Sequence, residues 1–262
     1  MKKHQIKSQT HKISSELLNL LISDSFSIPE EYFSSRLKIE NELVEQPEIN
    51  SISPKITQKL DEELRYLQSA FNNAKEAFDA IFLKIDSTAP IDMSNWLNEL
   101  KCTHFEDILL TLKYSQLLNT YIMKSNTEYF NLIFRKWYSL NPALEFRCFI
   151  WAGNLTAICQ RKINCFYHFM PDFGISTVIP KISEFCEKME FLKDNFILDV
   201  YLNSPPNYKV TIVDLQSFEP EKLLLFENFD FDNFKGNVQF KCIISEAEVS
   251  LQVFGQNYPL VF

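Results

Sequence analysis

The chain has 262 residues, 46% of them apolar and 14% aromatic, enough to bury roughly 70–75% of its unfolded surface in one large domain or two lobes. Its formal charge of −8 and pI near 5.2 argue against a nucleic-acid binder, which needs a basic stripe to displace counterions from phosphates, while leaving room for local basic sites. With four glycines, none in a GxGxxG or GxxxxGKS loop, it has neither a Rossmann fingerprint nor a P-loop, so any nucleotide must be held by another architecture.

From the N-terminus, MKKHQIKSQTHKISSELLNLLISDSF starts basic, but its apolar patch LLNLLI is bracketed by Glu16 and Asp24, which is not the pattern of a signal peptide. Residues 1–50 read as polar, with FSIPEEYF as the ordered piece and ELVEQPEINSISP as a linker. Ser53-Pro54 then supplies an N-cap and a proline at the first helical position. Ile56, Leu60, Leu64, Leu67, Phe71, Ala74 and Phe78 follow at steps of three and four, the stripe of an amphipathic helix covering a core.

AIFLKI (80–85) reads as a strand, Asp92 to Lys101 as a short helix and DILLTLK (107–113) as a strand. Beyond them the chain turns β-rich: LIFRKW (132–137), then LEFRCFIW and LTAICQR joined through Ala152-Gly153-Asn154, a hairpin signal. A helix over Val178 to Met189 precedes a second hairpin, FILDVYLNSPPNYKVTIVDLQSF (196–218), with Asn203 to Tyr208 as its loop. The expected fold class is α+β, in two lobes with antiparallel sheets and flanking helices: residues 1–130 helix-rich, residues 131–262 built from hairpins around a helix.

The longest uncharged apolar-rich run, Cys148 to Gln160, is too short and too polar to cross a bilayer. The six cysteines form no Cys-x-x-Cys pair and sit mostly in apolar runs, as reduced thiols behaving like small hydrophobes. A monomer in the cytoplasm, with no nucleic acid and no membrane as partner, is the expectation.

The second hairpin poses a chemical question. Phe196, Leu198, Val200 and Leu202 face one way, and Ile197, Asp199 and Tyr201 the other. On the return strand Asp214 and Gln216 are expected to share one face with Val210 and Ile212, which sets Asp199 opposite Asp214 with Cβ atoms ~4.5–5.5 Å apart. Two carboxylates that close repel unless something intervenes. A hard divalent cation held by Asp199, Asp214 and the Gln216 amide oxygen would do it; so would a lysine or arginine, or protonation of one acid. Cations do enter the neighbouring apolar runs: Arg147 beside Glu145, Arg161 at the end of the paired strand, and Lys84 in AIFLKID. The planar fork of arginine suits phosphate, and together these cations and the acid pair fit a Mg-nucleotide.

The ordered motifs resemble those of the cell division cycle protein 123 family. FLKIDSTAPIDMSNW is similar to the family's PKLNWSSPKDAxW, and DILLTLKYS to DIxLLLKSS. IFRKWYSLNPALEFRCFIWAGNLTAICQR resembles LRKWxxxxPxxEFRCFVxxxKLIxISQR, and ILDVYLNSPPNYKVTIVDLQSFEPEKLLLF resembles VFDxYxxxxxKVWLIDFNPFxxxTDSLLF. The resemblance, from about Phe26 to Pro259, implies an ATP-grasp-like fold and ATP with Mg²⁺ as cofactors. It implies Asp199, Asp214 and Gln216 as metal ligands, Lys84, Arg147 and Arg161 at phosphates, and Arg135, Lys136 and Trp137 lining the adenine pocket. It further implies an assembly chaperone of eukaryotic translation initiation factor 2 that binds the factor's gamma subunit. Gln216 stands where the family has asparagine, Ile91 replaces a lysine, and the acidic insertion before the C-terminal tail is shorter.

Two other functions stand beside this one. An ATP-grasp carboxylate-amine ligase would need a substrate-carboxylate site, to which Lys113 or His104 could contribute; no catalytic constellation is assigned. A nucleotide-free partner-binding relic is the other, and the Phe-rich, Gly-poor composition also resembles that of AT-rich genomes, which allows a bacterial effector acting on a host's factor.

Overall fold

The computed structural model describes residues 5–24, 26–29, 32, 57–94, 97, 100–189 and 194–249. These divide into two compact units, one of residues 7–138 and the other running from Ser139 together with Gln5 and Ile6.

In the first unit a three-stranded antiparallel sheet has the order β1-β3-β2, where β1 is Ser8–Ser14, β2 Ile81–Ile85 and β3 Tyr129–Lys136. One face carries Ile13, Ile81, Leu83, Ile85, Phe130, Leu132 and Phe134 into a core completed by helices α1 (Ser15–Ile22), α2 (Gln58–Phe78), α3 (Phe105–Tyr114) and α4 (Gln116–Lys124). The expected stripe on α2 is found: Leu60, Leu64, Leu67, Phe71, Ala74 and Phe78 are all buried. The helix begins at Gln58, capped by Thr57, whose hydroxyl accepts from Leu60 N at 3.4 Å; Ser53, Pro54 and Ile56 lie outside the described residues.

Two sequence expectations need correction here. DILLTLK is not a strand but lies within α3, because Phe105, Ile108, Leu109 and Leu112 form a helical stripe and Asp107 caps the start by accepting from Thr103 N at 2.7 Å and His104 N at 2.9 Å. Residues 8–22, read as polar, form β1 and α1; Ser14 caps α1 and is itself held by Glu63 of α2, through its N at 2.5 Å and its Oγ at 2.6 Å. Of the helix expected over Asp92 to Lys101, residues 95, 96, 98 and 99 lie outside the described residues; a 3₁₀ turn over Ile91–Met93 leads in, and Leu97 N donates to the Met93 carbonyl at 3.0 Å and Lys101 N to the Leu97 carbonyl at 3.1 Å. Of FSIPEEYF, Phe26 and Tyr32 reach the core; the linker ELVEQPEINSISP lies outside the described residues.

The second unit is built on a five-stranded sheet of order β7-β6-β4-β5-β8: β4 Glu145–Trp151, β5 Asn154–Gln160, β6 Phe196–Leu202, β7 Val210–Ser217 and β8 Gln239–Lys241. All neighbours are antiparallel except β5 and β8. The β4–β5 hairpin turns on Ala152 at φ 48° and Gly153 at φ 78°, the two left-handed residues a tight hairpin loop demands. The helical segment expected from Val178 starts earlier, as α5 (Met170–Phe173), a π-helical turn over Gly174–Val178 and α6 (Ile179–Glu187). One face of the sheet buries Phe146, Cys148, Ile158, Leu198 and Val200 against Met170, Val178, Ile182 and Cys186. The other carries Phe149, Cys159 and Ile197 beneath Leu223, Phe226 and Phe231.

Candidate functional site

The register of β6 against β7 places Asp199 opposite Asp214 and Ile197 opposite Gln216, as alternation predicts. After that pair the ladder shifts: Val200 faces Ile212, leaving Val213 as the extra residue of a β-bulge. The bulge corrects the expected face assignment. Val210 and Ile212 pair with Leu202 and Val200 on the helix-covered face, while Asp214 and Gln216 stay on the face of Asp199. One inserted residue inverts the alternation, so acids and aliphatics of the same strand part company.

β4 brings Arg147 directly opposite Asp199 from the other side. Arg147 Nε donates to Asp199 Oδ1 and Nη2 to Oδ2, each at 2.8 Å, while Nη1 donates to the Lys222 carbonyl at 2.9 Å. Arg161, just past the end of β5, donates through Nε to Asp199 Oδ2 at 3.0 Å. Gln216 Nε2 reaches both acids, Asp199 Oδ2 and Asp214 Oδ2, at 3.2 Å each. Asp199 is fully buried, Arg147 is 6% exposed and Asp214 half-buried. Of the ways to neutralise the acid pair that the sequence left open, arginine is on display.

Electrostatics follow from this packing. Burial by itself would raise the Asp199 pKa, but the charge of Arg161 and the bidentate Arg147 together hold it below the usual carboxylate range. Arg161 is raised in turn, chiefly by Asp199. Glu145, on the same face at the start of β4, is pushed up by burial, with Arg161 opposing the shift. By residue type, two carboxylates and an amide oxygen form a donor set that suits Mg²⁺. The Gln216 amide turns its nitrogen to both acids here, and a half-turn would offer its oxygen instead.

The remaining candidate residues belong to the first unit. Lys84 on β2 pairs with Ile133 and is only 2% exposed; Phe82 pairs with Arg135, so Lys84 and Arg135 share the sheet face turned away from the helical core. Lys136 ends β3 with its ammonium 5.3 Å from the Tyr138 ring centroid. Trp137 donates its backbone N–H to the Ala80 carbonyl, and Lys101 Nζ lies 5.0 Å from its ring centroid. The two residues considered for ligase chemistry have structural partners: Lys113 Nζ donates to the carbonyls of Ser23 at 3.1 Å and Phe26 at 2.5 Å, and His104 sits at the α3 cap. His104, Glu106 and Asp107 could together meet a metal ion, but Asp107 is occupied by capping.

Sequence reasoning missed the parts that frame the site. The Lys222 carbonyl is a backbone group without a side-chain signal. Gln160, fully buried at the end of β5, donates to the carbonyls of Lys162 and Cys165, each at 2.5 Å, and accepts from Ile243 N at 3.3 Å. It thereby fixes the chain just beyond Arg161, and a lone buried glutamine in an apolar run was its only trace.

With this geometry established, comparison with known proteins gives a consistent result. The D123 family model matches residues 1–258. A translation initiation factor eIF2 assembly protein of Botryotinia fuckeliana is 30% identical over 241 residues, covering 82% of this chain and 57% of its own length. One from Dictyostelium discoideum is 34% identical over 163 residues, 56% of this chain and 41% of its own. The chain thus spans about half the length of the curated relatives it matches. The solved structure of Cdc123 from Schizosaccharomyces pombe, 22% identical, aligns with a TM-score of 0.63 over 91% of this chain and 90% of that one, which shows a shared fold.

Proposed function

The chain belongs to the D123 family, and on that premise we propose that it assists assembly of eukaryotic translation initiation factor 2, binding the factor's gamma subunit and ATP with Mg²⁺. The observation that carries this reading is the family match over residues 1–258, combined with relatives that bear the name of eIF2 assembly proteins.

The nucleotide part is supported by chemistry in the second unit. Two guanidinium groups meet on a mostly apolar sheet face, paired here with Asp199, and their chemistry suits phosphate; Asp214 and, after an amide half-turn, Gln216 would supply oxygen ligands beside them. Arg147 and Arg161 would meet phosphates; Asp199, Asp214 and Gln216 would hold Mg²⁺, which screens phosphate charge when bound. Lys84, Arg135, Lys136 and Trp137 are proposed as further nucleotide contacts. The protein would act in the cytoplasm as a monomer; no helix among the described residues is long and apolar enough to cross a membrane.

The direct test is a pull-down of purified gamma subunit by this protein with and without Mg-ATP. Retention of the subunit, strengthened by nucleotide, is expected. A chain that retains no gamma subunit under either condition loses the partner assignment.

A further inference from the structure

We infer that Arg161 is a latch on Asp199, so that the metal can reach this carboxylate only once a polyphosphate has drawn the guanidinium away. The inference rests on the nucleotide reading above and adds to it an order of binding.

Asp199 Oδ2 is crowded with donors. A carboxylate offers about four lone-pair sites. Arg147 Nε takes Oδ1 at 2.8 Å, while Arg147 Nη2 at 2.8 Å, Arg161 Nε at 3.0 Å and Gln216 Nε2 at 3.2 Å all converge on Oδ2. Asp199, Asp214 and Glu145 face Arg147 and Arg161, so the two guanidinium groups already offset most of the acids' charge. A lone dication therefore gains little net attraction and would have to strip a guanidinium from a fully buried carboxylate.

The two arginines are not equally held. Arg147 grips both oxygens and the Lys222 carbonyl, and only 7% of its side chain is exposed. Among the described residues Arg161 holds the carboxylate through Nε, and 37% of its side chain is exposed. A phosphate arriving from solvent meets Arg161 first and competes with Asp199 for its fork. Once Arg161 turns to the phosphate and the Gln216 amide makes its half-turn, Oδ2 recovers a lone pair and the cluster recovers a negative charge, so a cation becomes welcome. Metal and polyphosphate then favour each other's binding by the same factor.

The test uses the whole chain, Mn²⁺ as probe for the metal and inorganic tripolyphosphate as a probe without a base. In the unaltered protein, tripolyphosphate should tighten Mn²⁺ binding by about 5- to 150-fold, the usual range of such coupling. Arg161→Gln should bind Mn²⁺ alone at least about tenfold more tightly than the parent and lose most of the gain from tripolyphosphate. Equal Mn²⁺ affinity with and without tripolyphosphate in the parent, or unchanged Mn²⁺ affinity in Arg161→Gln, overturns the latch. A measurement without any variant guards against misfolding: the Arg161 Nε–H resonance should move on adding tripolyphosphate and stay in place with Mg²⁺ alone, and movement with Mg²⁺ alone overturns the inference. Coupling with tripolyphosphate but no binding of ATP leaves the latch standing while the ATP reading falls.

Discussion

Arg147 and Asp199 occupy directly opposed positions on β4 and β6, and the guanidinium closes a two-point grip on the carboxylate with both bonds at 2.8 Å. Removing one partner leaves a buried charge uncompensated. Arg147→Ala should lower stability by about 3–5 kcal/mol in urea titration. Arg147→Met combined with Asp199→Leu should recover most of that loss, because an apolar pair of similar volume needs no counter-charge.

Asp214 sits at the half-buried edge of the same cluster, where its loss costs the fold little. Nucleotide at a hundred times its dissociation constant should add ~2.7 kcal/mol, a rise in melting temperature of roughly 5–10 °C for a chain this size. The rise should require Mg²⁺ and vanish in Asp214→Ala, whose own melting temperature without ligand stays near that of the parent. An undiminished rise in the variant would remove Asp214 from the metal site.

Gly174 opens the π-helical turn where the Phe240 ring lies against the helix backbone. A methyl group added there would fall far inside contact distance of the Phe240 ring. Gly174→Ala should therefore cost about 1–3 kcal/mol through overpacking. Phe240→Leu in the same chain should restore part of it, which a double-mutant cycle in denaturant would read as favourable coupling.

The cysteines set the alkaline limit of the fold. Burial pushes the Cys159 and Cys186 thiols up to about 12 and raises Cys102 and Cys148 as well. The unfolded chain ionises its thiols near pH ~8.5 while the folded one keeps them protonated, so stability is intact below that pH and falls progressively toward pH ~12. Circular dichroism melts from pH 8 upward should show the decline, and Cys→Ser or Cys→Ala variants at these sites should flatten it. In the native protein a thiol reagent should modify the partly exposed Cys165 and Cys242 rapidly and leave the four buried thiols, Cys102, Cys148, Cys159 and Cys186, until unfolding.

The sequence made the second hairpin legible because its alternation runs over two full strands and its loop is rich in turn residues. That regularity brought Asp199 and Asp214 together on paper. The bulge at Val213 left no mark, since valine is equally at home in an unbroken strand, and the faces of Val210 and Ile212 were misread as a result. DILLTLK shows the limit of a short window: over seven residues an apolar run fits either period, and the deciding contacts with Asp107 lie at its edge. The Arg147 grip was out of reach for a different reason. It depends on which strand lies beside β6, and that choice is made by residues some fifty positions apart in the chain. Arginine in an apolar strand announced only that an anion had to be near.

The two rims of the five-stranded sheet are finished differently. β8 is three residues long, and on the far side Gln5 forms a single parallel bridge to Ile212, reinforced by Ile6 N donating to the Ile212 carbonyl at 3.3 Å. An open rim of β7 would offer unpaired backbone groups and the exposed Leu215 to any other extended chain, the starting point of intermolecular strand addition. Gln5 and Ile6 thus cover the rim at Ile212 that another extended chain would otherwise meet. Trimming them during expression would trade a tidier terminus for a sheet that can recruit its own copies.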